Sequence, residues 1–523
     1  MTHPNARNGT TGTVLSREQQ TAELVRLVET VTSPQLFVAE GASEPNDQDR
    51  PHSSDEELVS RFLGDLPDEG LGSNGFGEAI SVLSQHSVNN SSPGFLGKLV
   101  SAPSPPGIAS DLFLSTINNN GHVWRASPAL SAVEKHVSVK LARLFGLQGP
   151  HAGGVTVPGG AAGAMLAMLV ARNILSPESK EQGVDSSRKY AVFVSDSAHY
   201  SVSNAAQIVG LGSDSIVRVP TLDDGTMDTQ QLEVAIEAAV HRGRRPLFIN
   251  ATAGNTVNGA FDPVDKIGAI ARKVNAWFHV DACWGGAVVF SEKLKHLIKG
   301  CELADSIAFN PHKMLGVPLV CAFLLAGDLR TFWLANKLSA GYLFHDINNT
   351  TSDKSTEKSN GNWRGSKLLD DAPEVADIRD LASLTVQCSR RSDATKMLLH
   401  WIYYGTREIG HQVEQAVDAA QHLASIVQSH RQLELVGDPA KVFAQVCFYW
   451  GPNASSASSA VNTRNTHLLY ERLTEQGWKI DYAPHKIKGE LIRVACNRLT
   501  TRRGVESLIS KLVEAGNLLI DSS

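Results

Sequence analysis

Four short stretches carry residue types suited to shared chemistry. Asn310-Pro311-His312-Lys313 ends a run of strand-forming residues, Ser306–Phe309. A lysine just after a buried strand is open to desolvation, which turns an ammonium into a usable amine nucleophile and Schiff-base former. His279-Val280-Asp281-Ala282-Cys283-Trp284-Gly285-Gly286 closes another such run. An aspartate at the C-terminal end of a parallel strand points into the crevice where open α/β sheets bind ligands. Pro158-Gly159-Gly160-Ala161-Ala162-Gly163-Ala164 precedes an apolar helix, and small residues let backbone N–H groups approach a phosphate at a helix N-terminus. His199-Tyr200-Ser201 follows a strand at Tyr190–Ser195, and its imidazole is suited to stacking on a cofactor ring. Each stretch alone also has an ordinary structural use: a turn lysine, a helix N-cap or salt bridge, a close-packed helix start, a structural histidine.

Together they point to one cofactor. A carboxylate such as Asp281 can hold a pyridinium nitrogen protonated, which pyridoxal phosphate needs in order to act as an electron sink. The order small-residue loop, His199, Asp281, Lys313 is the layout expected of a fold-type I pyridoxal-phosphate enzyme. Three stretches make the likeness specific: NATAGNTVNGAFDP at 250–263, HVDACWGG at 279–286 and FNPHKMLGV at 309–317. From about Pro93 to the C-terminus the chain resembles the group II pyridoxal-phosphate decarboxylases, most closely the glutamate decarboxylase and cysteine sulfinate decarboxylase branch.

The resemblance implies an α/β fold of fold type I. It has a large domain around a seven-stranded, mostly parallel sheet, a small C-terminal α+β domain, and an N-terminal segment exchanged across a homodimer. It also implies roles. Lys313 is the covalent anchor of the cofactor, Asp281 pairs with the pyridine nitrogen, and His199 stacks over the ring and assists proton transfer. His312, Ala161 and Ala162 lie around the phosphate, and Thr252 and Cys283 line the pocket. Arg493, in Leu-Ile-Arg-Val-Ala-Cys-Asn, binds a substrate carboxylate, for which a planar guanidinium fork is suited.

The chain departs from the family pattern in three places. Gly163-Ala164 stand where the phosphate loop usually carries Ser-Asn, so one hydroxyl donor is lost. Phe95-Leu96-Gly97-Lys98-Leu99 replaces the FxNQL motif. Lys98 then stands where a glutamine contacts substrate, and it is either a cation favouring an acidic side chain or a solvated lysine. Asn119, Asn120, His122 and Trp124 fall in the family segment that enters the pocket and shapes selectivity. In the mobile catalytic loop, Glu374-Val375-Ala376-Asp377 is the best register for a motif that reads EVYD, so Ala376 replaces the protonating tyrosine. No tyrosine occurs between 346 and 386.

The elements that must position these residues follow from the rest of the chain. Apolar helical patterns at 129–146 and 161–175 alternate with β-rich runs at Tyr190–Ser195, Ser215–Val219, Leu247–Asn250, Trp277–Val280, Ser306–Phe309 and Cys321–Leu325. Such alternation predicts an α/β domain around a mostly parallel sheet. Helical patterns at 394–404, 410–429, 461–476 and 503–519, with β runs at Ala444–Trp450 and Leu491–Cys496, predict the α+β tail. Leu24, Leu27, Val28 and Val31 predict a first helix, and Ser54 with Glu57 a capping box. Residues 1–16, 40–55 and about 346–373 are polar and build no core. The expected division is an N-terminal arm (1–92), a large cofactor domain (93–390, with a mobile insertion at about 346–383) and a small domain (391–523).

Composition narrows the function class. The 523 residues are 42% hydrophobic and carry 48 basic against 54 acidic side chains, a net −6, which argues against a general nucleic-acid or polybasic membrane binder. Six cysteines without CxxC spacing argue against a disulfide scaffold or a zinc site. The N-terminal stretch MTHPNARNGTTGTVLS lacks the apolar core of a secretory signal, and no run reaches the roughly 18 apolar residues of a membrane span. The expectation is a cytoplasmic pyridoxal-phosphate α-decarboxylase of an amino acid, with an acidic one as a candidate. Alternatives are decarboxylation with oxidative deamination to an aldehyde, a catalytically weakened scaffold subunit and, less in keeping with the lysine motif, an aminotransferase.

Overall fold

The computed structural model describes residues 16–32, 42–46, 49, 67–337, 363–364, 369–451, 456–485 and 487–520. Backbone packing groups the chain into a smaller unit (1–98, 454–492 and 501–523) and a larger one (99–453 and 493–500). The expected capping box at Ser54 and Glu57 and most of the insertion at 346–373 lie outside the described residues.

The smaller unit opens with α1 (Arg17–Val31), which Ser16 and Gln19 cap reciprocally, as a capping box does. It packs against α2 (Gly72–His86), and Ser73 donates a hydrogen bond to Glu23.

The larger unit begins with α3 (Pro105–Ile117). Ser104 caps it through the Gly107 N–H, Pro105 stands at its first position, and Asn118 ends it at φ 45°. These start and stop signals are the ones helix ends favour. Then come α4 (Pro128–Leu144), β1 (Gly153–Val157), α5 (Gly160–Leu175), β2 (Lys189–Ser195), α6 (Ser201–Ile208), β3 (Ile216–Val219), α7 (Thr229–His241), β4 (Arg244–Thr252), α8 (Val264–Lys273), β5 (Trp277–Asp281), β6 (Ser306–Phe309), β7 (Ala322–Ala326) and α9 (Arg330–Asn336). The seven strands form one sheet in the order β1-β7-β6-β5-β4-β2-β3. Neighbours from β6 to β3 run parallel, and β7 is antiparallel to both β6 and β1. Strands β1, β2, β4, β5 and β6 therefore all end at the same edge. This is the fold-type I α/β architecture expected.

Period-two alternation sorts the strand side chains into two cores. Ile249, Phe278, Ile307 and Phe323 enter one core, while their neighbours Phe248, Trp277, Ala308 and Leu324 enter the other with α5. A sheet covered on both faces needs nearly continuous apolar strands, and β1, β6 and β7 are buried throughout. Asn250, Thr252, His279 and Asp281 share the parity of Phe248 and Trp277, so they face the side of the sheet that α5 covers.

β1 escapes sequence reading because Gly153-Gly154 resembles a turn. A Cβ on Gly154 would lie 2.6 Å from the Leu324 carbonyl oxygen, so glycine is what lets β7 approach. The two patterns at 394–404 and 410–429 form one element, α10 (Ala394–Ser429), broken at Gly405, whose φ of 73° is outside the helical range. Short strands β8 (Leu433–Leu435) and β9 (Gln445–Trp450) pair antiparallel after it. The chain returns to the smaller unit for α11 (Ser459–Glu475), β10 (Asp481–His485), most of β11 (Gly489–Ala495) and α12 (Arg502–Ile520). Among the described residues, no helix is long and apolar enough to cross a membrane.

Candidate active site

The sheet's C-terminal edge gathers most of the chemistry-bearing residues. Lys313 follows β6 through a turn in which its N–H donates to the Asn310 carbonyl at 3.0 Å. Its own carbonyl accepts from the Ser101 N–H at 2.9 Å. The lysine side chain is half-buried. Asp281 ends β5 and stands beside Thr252 in register. It keeps part of its surface open at the crevice while protein closes round it. The Cys283 N–H donates to Asp281 Oδ1 at 3.1 Å.

The charges on these groups depend on one another. Burial alone would raise the Asp281 carboxyl, but the Lys313 ammonium and hydrogen bonding from Cys283 outweigh it and hold Asp281 below the ordinary carboxylate range. An ionised carboxylate is the form that can keep a pyridinium protonated. His199 is half-buried, and burial lowers it; the Asp281 carboxylate pulls it up, and the Lys313 ammonium pushes it further down. Cys283 is buried, and burial and then Asp281 push its thiol well up, so it is a neutral wall and not a nucleophile.

The small-residue loop forms an open helix start. Gly159 caps α5 without any side-chain hydrogen bond, which leaves first-turn N–H groups without intrahelical partners. Ala161 is exposed, and Ala162 partly so. A Cβ on Gly160 would lie 2.5 Å from Cys283 Sγ and 3.0 Å from Asn310 Nδ2, so the loop is pressed against the Asp281 and Lys313 strands. His312 is buried, and its Nδ1 is 2.7 Å from the Cys321 carbonyl oxygen. The Cys321 N–H also reaches that nitrogen, at 3.2 Å.

The other expected residues divide by location. Arg493 is buried and donates from Nη1 to the Thr256 carbonyl at 2.7 Å. Gln445 holds the same loop, donating to the Asn255 carbonyl at 2.9 Å and accepting from Trp284 Nε1 at 3.1 Å. Lys98 lies in the smaller unit, with an exposed side chain 2.7 Å from Asp481 Oδ2. Asn119 is exposed, whereas Asn120 Oδ1 accepts from the Arg390 N–H at 2.9 Å. His122 is half-buried; its carbonyl accepts from Ala382, and its buried Nδ1 has no partner among the described residues. The Trp124 N–H donates to Asp380 at 2.7 Å. Ala376 is exposed, and Glu374 beside it lies 3.5 Å from His151, at the edge where β1 begins, opposite Asp281.

Three further residues belong here that the motifs did not single out. Asn310 and Asn250 are buried, each with an Oδ1 that has no partner among the described residues. His279 is fully buried two residues before Asp281, with Nδ1 2.8 Å from Ser306 Oγ and Nε2 without a partner among the described residues. The period-two spacing of His279 and Asp281 was a usable signal for their shared face.

Burial holds His279, His312 and His400 down to about 4. The unfolded chain protonates such groups near 6.5, and the folded chain only near 4. Their contribution to stability is thus complete above 6.5 and is lost as pH falls toward 4. The denaturation midpoint should drop across that window; a flat midpoint would refute the neutral assignment.

The donor set fits pyridoxal phosphate. An uncapped helix start, a neutral imidazole and an orphaned Asn310 oxygen sit beside an ionised carboxylate and a lysine. The architecture is that of the fold-type I pyridoxal-phosphate enzymes. Within that class, the sequence profile described as the pyridoxal-dependent decarboxylase conserved domain matches residues 75–362. A glutamate decarboxylase-like protein of Gibberella zeae is 61% identical over 517 residues, covering 97% of this chain and 99% of its own. An L-aspartate decarboxylase of Metarhizium robertsii is 38% identical over 523 residues, covering 97% of this chain and 99% of its own. The structure of mouse CSAD superposes with a TM-score of 0.83 at 28% identity, covering 96% of this chain and 99% of that one. The chain belongs to the pyridoxal-dependent decarboxylase family and is a pyridoxal-phosphate-dependent carboxy-lyase acting on an amino acid.

Proposed function

We propose that this enzyme removes the α-carboxylate of an acidic amino acid as CO2 and releases the amine. The observation that carries the acidic preference is Arg493, a buried guanidinium of the larger unit next to the 250–263 loop. The relatives named for glutamate and aspartate support the same class. Lys98 adds nothing to it, because its charge is spent on Asp481.

In this reading Lys313 anchors the cofactor. Asp281 holds the ring nitrogen protonated, and His199 lies against the ring face. The N–H groups at Ala161 and Ala162, with His312, hold the phosphate, while Thr252 and Cys283 wall the pocket. Bound there, the cofactor supplies an electron sink for the pair left on Cα when CO2 departs. Arg493 orients the substrate by its carboxylate, and Asn119, Asn120 and His122 border the side chain. The enzyme acts as a homodimer in the cytoplasm.

A second reading rests on the absence of any tyrosine from 346 to 386. Without the loop tyrosine, protonation of Cα slows and dioxygen competes. Amino acid, O2 and water then yield aldehyde, CO2, ammonia and hydrogen peroxide. Incubation with aspartate, glutamate, cysteine sulfinate and neutral amino acids, reading CO2, peroxide and product mass, tests both. Amine from an acidic substrate without peroxide is expected. Stoichiometric peroxide would establish the oxidative reaction, and CO2 from neutral substrates alone would remove the acidic preference.

A further inference from the structure

Ser201 is the first residue of α6, and it turns back on His199 with two groups. Its backbone N–H reaches His199 Nδ1 at 3.3 Å, and its Oγ lies 2.9 Å from the same nitrogen. A backbone N–H only donates, so Nδ1 must offer its lone pair. The hydroxyl sharing that nitrogen must then donate as well. In a neutral ring the remaining proton sits on Nε2.

The surroundings keep the ring neutral. Burial outweighs the pull of the Asp281 carboxylate, and the Lys313 ammonium acts with burial. The Tyr200 ring centroid lies 4.4 Å from that of His199. We propose that Ser201 is a positioning residue of the decarboxylation: through its N–H and hydroxyl it fixes His199 as a neutral imidazole with the proton on Nε2.

This rests on the reading that places His199 against the cofactor ring. A pyridine ring kept protonated by Asp281 is cationic, and a neutral imidazole can lie on it without like-charge repulsion. The lock also restricts the chemistry of His199. Its Nε2–H is a hydrogen-bond donor, but giving that proton away would leave a strongly basic imidazolate. His199 therefore does not replace the missing loop tyrosine as the acid that protonates Cα.

Nitrogen NMR of protein labelled with 15N-histidine tests the lock, with His199→Gln identifying the His199 signals. Nδ1 should resonate as an unprotonated ring nitrogen and Nε2 as a protonated one, before and after pyridoxal phosphate is added. Ser201→Ala keeps the N–H and a good helix former at that position, so it should fold. With the 2.9 Å hydroxyl contact gone and only the longer 3.3 Å N–H contact kept, it should show mixed tautomers and lose roughly 3- to 10-fold in kcat, the range of one neutral hydrogen bond, with KM near that of the parent. Ser201→Thr should restore both signals and rate. A protonated Nδ1 in the parent protein would overturn the lock, and unchanged tautomers in Ser201→Ala would overturn the role of the Ser201 hydroxyl in it. A His199 Nε2 signal that does not move on addition of pyridoxal phosphate would instead overturn the placement of His199 on the ring.

Discussion

Lys313→Ala should abolish CO2 release, by at least about 1,000-fold, while leaving a folded protein. Loss of a nucleophile that acts as one unit with its partners has effects on this scale or larger. Folding should survive because Lys313 is half-buried and its ammonium forms no hydrogen bond or ion pair among the described residues. What it does contribute is charge. It is the strongest influence opposing the burial of Asp281, so its removal raises the Asp281 carboxyl and weakens the hold on a protonated ring nitrogen. Lys313→Arg keeps the cation but not a nucleophilic amine. It should preserve the ionisation of Asp281 and remain inactive, which separates the two contributions. Absorbance of the holoenzyme provides the readout. Borohydride should fix the cofactor to the parent protein and to neither variant. Covalent retention in Lys313→Ala would move the anchor to another amine.

Strands β5 and β6, which lead into Asp281 and Lys313, were legible because each is buried almost throughout and reads as a short apolar run, whereas the Gly153-Gly154 start hid β1. β6 is read to the residue, and β5 differs only by adding Asp281. The site residues on the strand ends were legible for the same reason: a polar residue terminating such a run has few structural uses. Placement of longer-range groups was not legible. Lys98 stands in a motif position that suggests a substrate contact, yet only the fold brings Asp481 to it across 383 residues. Asn120 offers an amide in a segment read as substrate-lining, but its oxygen is occupied by the Arg390 backbone. Nothing local in either stretch encodes these partners. Ser201 was visible beside His199, but its importance lies in which atom donates, and that requires the turn geometry.

Arg390 and Glu134 were not legible for a further reason: charges seldom occupy a core, and no spacing rule joins residues so far apart. The two form a buried ion pair, 4% and 1% exposed. Arg390 donates from Nη2 also to Thr156 Oγ1 at 3.1 Å and from Nη1 to the Gly121 carbonyl at 2.9 Å. Glu134 accepts from the Thr156 N–H at 2.8 Å. The pair thus ties the Asn120–His122 segment to β1, three residues before the Gly159 start of the α5 loop. Arg390→Met should lower stability by about 3–5 kcal/mol, because it strands a buried carboxylate. Glu134→Gln should cost less, since an amide oxygen can still accept from Thr156. Arg390→Met with Glu134→Leu should recover part of the loss, because neither charge is then left alone and the two sites are coupled. Denaturant midpoints of the three variants test this order. If the double variant is as unstable as the sum of the single ones, the pair is not an interacting unit, and the hydrogen bonds to Gly121 and Thr156 alone must hold β1 to the Asn120–His122 segment.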